Sequence, residues 1–371
     1  MMTDDGQLTA QADAGSEEIE GLGYDQPGSW GDYPIDTLLI RHEPRTVHDV
    51  LRRIEQGRFV MDPDFQREFI WDDDKQSKLI ESVMMRIPLP VFYLAEDPQG
   101  RMVVVDGLQR LSTFHRFVNN ELRLRLSERP ELDGKRFCDL PHRIQNRVED
   151  CNLILYILDA KVPDQTRLDI FERVNGGVPL TRQQMRNCLY MGDATRFLRK
   201  ESRTDLFKRA TGGSLRWQTM RDREFVNRFC AFQILDLDEY RDMDEFLARC
   251  LTKMNKQVDV LPILSRQFEL TLGNNLHLFG KHAFRKHAPD QEHRSVINAS
   301  IWDVMSTGLS RYSQQSVEEH SERLQAEFYR LLQDEDFMNA ITYGTSDAKR
   351  VHRRFEMSNA MLEDVLGAYA A

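Results

Sequence analysis

Residues 103–114 read VVVDGLQRLSTF. Three β-branched residues in a row suit a strand buried on both faces. Gly107 can take backbone angles that other residues resist, so the chain can leave the strand tightly and enter a helix at once. The first turn of such a helix has unpaired N–H groups and the positive end of the helix dipole, a ready anion site. Gln109 and Arg110 fall in that turn. Arg110 can grip a phosphate with two parallel hydrogen bonds, and Asp106 at the strand tip can hold a hydrated Mg²⁺. The same spacing also fits a plain N-cap at Asp106 with Arg110 paired to a surface carboxylate. No Walker A loop is present, because Gly134-Lys135 and Gly280-Lys281 both lack the upstream glycine it requires.

The flanking segments predict a mixed α/β unit. Thr46 can cap a helix, TVHDVLRRIEQGRF, with Val47, Val50, Leu51 and Ile54 on one face and Gly57 at its end. An extended stretch, FVMDPDFQREFIW, follows. Asp74 then caps DKQSKLIESVMMRI, whose buried stripe is Leu79, Ile80, Val83 and Met84, and IPLP stops that helix. VFYLAED and RMVVVD read as a hairpin joined by Pro98-Gln99-Gly100. ELRLRL alternates like a half-buried strand, and CNLILYILDA is another strand. Beyond Asp164 nearly everything has a 3.6-residue period, with loops near Gly212-Gly213, Gly273 and Pro289. The fold class is therefore α+β, with an α/β module over 37–160 and an all-helical module over 161–371.

Residues 1–36 differ from both modules. Of the chain's 60 acidic residues nine lie here, with no Lys or Arg, while the remaining 51 nearly balance 50 basic ones. The net charge of -10 thus belongs to an acidic leader with few large apolar residues, a composition that favours disorder. A solubilising tail is the preferred role; a partner-docking tail and an autoinhibitory DNA mimic are the alternatives. The leader lacks the basic and apolar regions of a signal peptide, and no apolar run reaches the roughly 18–20 residues of a membrane span. A cytoplasmic protein with no membrane partner is expected. Its five scattered cysteines form no CxxC pair, which disfavours a disulfide framework and a zinc knuckle.

Three blocks together carry a resemblance. DFQREFIWDDDKQSKLIESVMMRIPLPVFYL followed by VVDGLQRLSTFHRF, then DIFERVNGGVPLTRQQMRNCLY at 169–190, then TYGTSDAKRVHRRF at 342–355 resemble the N-terminal domain family of GmrSD-type, modification-dependent restriction enzymes. That family has an Asp-Gly-Gln-Gln-Arg motif on a ParB/sulfiredoxin-like fold. The resemblance implies that 37–160 is such a module and that nucleotide binding and hydrolysis occur at the motif, in defence against foreign DNA. Asp106, Gly107, Gln109 and Arg110 match the motif. Leu108 stands where the family has glutamine, so this position either loses a ligand contact or faces the core.

The companion residues each have two readings. Gln66 and Arg67 can clamp phosphate, or face solvent; Trp71 can stack on a base, or anchor the core. Arg173 and Asn175, in FERVNGG, either close over the nucleotide or cap a helix. Nine Lys/Arg residues stand between Arg196 and Arg223, around Trp217 and Gly212-Gly213. Of these Arg199, Lys200, Arg203, Lys208, Arg209 and Arg216 are candidates for DNA backbone contacts, against the plain alternative of a solvated helix face. KRVHRR at 349–354 is a shorter second patch. His277, His282, His287 and His293 lack the spacing of a metal or HNH centre, so the resemblance implies a stand-alone member whose nuclease is a separate partner protein.

The expected function is an Mg²⁺-dependent, NTP-hydrolysing sensor or switch, with Asp106 on the metal and Arg110 on phosphate charge. A non-catalytic DNA- or protein-binding subunit with a structural nucleotide site is the alternative, and a ParB-like nuclease ranks last.

Overall fold

The computed structural model describes residues 19–22, 40–61, 71–97, 99–162, 166–168, 170–171 and 181–367. Among them the α+β class holds: a five-stranded mixed sheet comes first and helices dominate the rest. A two-residue strand β1 (Ile19–Glu20) precedes the sheet strands β2 (Ile40–Thr46), β3 (Phe59–Val60), β4 (Phe92–Glu96), β5 (Met102–Asp106) and β6 (Asn152–Leu158). Their spatial order is β2-β6-β4-β5-β3. The β4–β5 hairpin is antiparallel as the sequence predicts, whereas β6 runs parallel to β4 and β3 parallel to β5.

Helices α1 (Val47–Glu55), α2 (Asp73–Met84), α3 (Leu108–Val118) and α4 (His142–Glu149) contribute to one core with the sheet. Phe92, Leu94, Val104, Leu153, Leu155 and Ile157 meet Val50, Ile80, Leu111 and Phe114 there, all buried. The second face is covered at one end by Leu168, Phe171 and Met185, the last from α5 (Arg182–Leu189), packed on Ala95, Val105 and Leu158. The three valines of β5 are therefore buried on both faces, with Val104 in one cluster and Val105 in the other.

Local chemistry explains where expectation and structure part. Thr46 does cap α1, its hydroxyl accepting from Asp49 N–H at 3.2 Å. The cap of α2 is Asp72 rather than Asp74: its carboxylate accepts from Lys75 N–H at 2.8 Å, and both following aspartates lie inside the first turn. ELRLRL buries Leu122, Leu124 and Leu126 but joins no sheet. Its amides are taken elsewhere, Arg125 N–H by the Ser77 hydroxyl at 2.9 Å and Leu126 N–H by the Asp133 carboxylate at 2.7 Å. Gly273 lies inside the helix Leu261–Phe279 rather than in a loop, where a Cβ would meet nothing within 4 Å.

Within the acidic leader, Ile19–Glu20 forms a parallel pair with β7 (Ile297–Asn298) in the helical part. Lys286 Nζ reaches Glu20 at 2.5 Å, and the Thr345 hydroxyl donates to Gly21 C=O at 2.8 Å. These four residues do not share the disorder expected of the leader, because strand pairing, a charge pair and a hydroxyl satisfy their polar groups.

Candidate nucleotide site

β5 ends at Asp106, and Gly107 turns the chain with φ +98° into α3. A Cβ at Gly107 would lie 2.2 Å from Phe92 Cδ1, so glycine is required here by space as well as by backbone conformation. Leu108 is 5% exposed and belongs to the core against the sheet. The departure from the family motif therefore falls on the inward side of the turn.

Arg110 is 8% exposed and held from several sides. Its Nη2 donates to Asp106 Oδ2 at 2.8 Å and to Val91 C=O at 3.0 Å, its Nη1 donates to Pro90 C=O, and its Cζ sits 4.1 Å from the Phe92 ring centre. Burial pulls its pKa below the ordinary arginine value and the Asp106 carboxylate works against that pull. Asp106 and the two carbonyls take three of the five guanidinium N–H donors. Arg110 acts here as a brace that fixes Asp106. The Asp106 side chain is 36% exposed and uses one oxygen on the arginine.

Among the described residues no group of three or more His, Cys, Asp or Glu side chains could hold a metal. A Mg²⁺ at Asp106 would have fewer than three such ligands from the described residues, with phosphate oxygens and water beside them, a pattern Mg²⁺ commonly accepts.

The turn is tied to Trp71. Its backbone N–H donates to Gln109 Oε1 at 3.0 Å, and its carbonyl accepts from Gln76, whose own Oε1 accepts from Arg116 at 2.7 Å. The Trp71 ring packs partly buried against the core. The Nε2 of Gln109 is buried and has no hydrogen-bond partner among the described residues. Gln66, Arg67, Arg173 and Asn175 lie outside the described residues.

Sequence reasoning missed a row of rings beside this turn. Tyr93, paired with Asp106 across the hairpin, stacks on Tyr156 at 5.6 Å between ring centres, and His42 lies 5.5 Å beyond. Burial first, then Tyr156 and Asp106, push the Tyr93 hydroxyl above its ordinary pKa. Period-two alternation in LILYIL and VFYLAE is the signal that would have put both tyrosines on one sheet face.

Residues 47–191 match the family model described as GmrSD restriction endonuclease, N-terminal domain. The segment is a GmrSD N-terminal domain. The match covers residues 47–191 alone and suggests a restriction- or defence-system setting. No curated protein and no solved structure matches the chain.

The basic run lies beyond the GmrSD domain and divides in two. Lys200, Arg203, Lys208, Arg209 and Arg216 are exposed and Arg199 is half-buried, with Trp217 45% exposed beside them. Lys200 approaches Glu201 at 3.1 Å and Lys208 approaches Asp205 at 3.7 Å. Arg221 and Arg223 belong to the interior instead: Arg223 is 2% exposed, and Arg221 donates to buried Glu224 at 2.6 Å. KRVHRR is divided in the same way, with Lys349 and Arg353 exposed and Val351 and Arg354 buried. Its Arg354 is fully buried on Asp303 at 2.9 Å, and Arg353 is shared between Asp336 and Glu356. Among the described residues no helix is long and apolar enough to cross a membrane.

Proposed function

We propose that the protein is a nucleotide-binding switch of a prokaryotic restriction or defence system and that it hydrolyses its nucleotide with Mg²⁺. The observation carrying this reading is the Asp106–Gly107 turn. It presents a braced, partly exposed carboxylate at a strand tip, beside the N-terminus of an eleven-residue helix that has no side-chain cap. The amides of that first helical turn bind phosphate, Asp106 holds the metal or orients water, and Arg110 keeps Asp106 in place. Bound Mg²⁺ supplies charge neutralisation, which is most of what phosphoryl transfer requires. Gln66, Arg67, Arg173 and Asn175 join the nucleotide in this reading, and a separate nuclease does any cutting.

A second reading, a non-catalytic DNA- or protein-binding subunit, is favoured by the exposed basic residues around Trp217. No group of metal-ligating side chains among the described residues favours the nuclease reading.

Calorimetry with ATP, GTP, CTP and UTP plus Mg²⁺, beside phosphate release, tests the switch. Asp106→Asn keeps the side chain's shape and is expected to lower turnover by about 100-fold or more, the scale of a lost electrostatic contact. Absence of binding to all four nucleotides by the wild type would sink the reading. DNA affinity that falls steeply with salt, with no nucleotide bound, would then support the second one.

A further inference from the structure

A cavity of about 610 Å³ opens between the C-terminal end of α2, the Ile87–Pro88–Leu89 segment, α4 and the start of β6. It lies outside the turn just described, and its wall carries Arg86, Arg143 and Arg147 against the single carboxylate of Asp150. Arg147 donates to Met84 C=O at 2.9 Å. Among the described residues Arg86 and Arg143 are exposed, and neither guanidinium has an ion-pair partner. Val83 and Leu89 give the wall an apolar side, and Ile87 at the mouth is 47% exposed.

Arg86 is there at a conformational cost. α2 ends in a Schellman motif, with Arg86 N–H bonded to Val83 C=O and Ile87 N–H to Ser82 C=O, both at 2.9 Å. The left-handed position of that motif usually takes glycine, yet Arg86 holds it at φ +62°. Strained backbone positions of this kind cluster at ligand clamps and switch regions. Two uncompensated guanidinium groups on one cavity, with an apolar slab beside them, match a ligand that is anionic at one end and apolar at the other. The volume falls in the ordinary range for small-ligand sites.

We propose that this cavity binds a phosphate-bearing ligand of nucleotide size and that its occupancy is felt at Asp106. The route is short. Pro88 and Leu89 line the cavity, and the next two residues, Pro90 and Val91, offer the carbonyls that anchor Arg110. A ligand that shifts this proline-stiffened segment moves the brace of Asp106. Binding here is independent of any ligand at Asp106; only the effect on the turn rests on the proposed nucleotide switch.

Cys151 also lines the cavity and reports on it directly, while Cys138 is exposed elsewhere as an internal control. The full chain is alkylated with iodoacetamide and each cysteine peptide is followed by mass spectrometry. Pyrophosphate and ATP are expected to slow labelling of Cys151 about tenfold once they exceed their dissociation constants by that factor. Cys138 should be unaffected, and adenosine should not protect. Protection should vanish in Arg143→Ala and in Arg86→Gly, the latter a change the left-handed backbone favours, and should survive Asp106→Asn. Protection by adenosine, or by a short single-stranded oligonucleotide where ATP and pyrophosphate fail, would overturn the proposal. So would no protection at all, persistence in both arginine variants, or loss in Asp106→Asn alone.

Discussion

Gly107 answers to two constraints, a positive φ and the Phe92 ring only 2.2 Å from where a Cβ would stand. Gly107→Ala is expected to cost about 2–4 kcal/mol, adding left-handed strain to overpacking. Urea unfolding measures it. In Phe92→Ala the same substitution should cost less, because only the backbone part remains. The glycine and the helix start were legible in VVVDGLQR because they follow from local geometry. The destination of Arg110 was not, since its acceptors include the carbonyls of Pro90 and Val91, about twenty positions back. Sequence reasoning left Leu108 between two roles, and its burial decides for the core.

Single elements were read well where a cap and a stripe coincided, as in α1. They were misread where neighbours compete. Three aspartates in a row hid which one caps α2, and ELRLRL has a strand's alternation without a strand's partner. The links between helices were beyond reach. Asp303, on Ala299–Leu309, accepts from Nε and Nη2 of Arg228 at 2.9 Å each and from Nη2 of Arg354 at 2.9 Å, so it joins three helices with all three residues buried. Asp303→Asn leaves two buried arginines short of charge and is expected to cost about 3–5 kcal/mol by urea unfolding. Glu224 adds a pH term. Burial would raise its pKa, but Arg221, Arg186 and Arg228 outweigh burial and hold it below the ordinary value. The stability it contributes is complete above its unfolded pKa of about 4.3 and is lost as pH falls through the lower folded one. The urea midpoint should therefore drop in acid, and Glu224→Gln should reduce that drop.

At the scale of the whole molecule, composition separated an acidic leader from a nearly neutral body, and periodicity separated sheet from helices. Neither could foresee that Ile19–Leu22 returns to the helical part. Deletion of residues 1–22, set against deletion of 1–18, isolates these contacts; if they contribute about 1 kcal/mol, the first variant should melt about 1–2 °C below the second. The pairing also has a consequence in time. During synthesis Ile19 emerges roughly 280 residues before Ile297, which at about 5–20 residues per second is an interval of about 15–60 s. The sheet can form within that wait, so Ile19–Leu22 finds its place after the sheet that follows it in the chain.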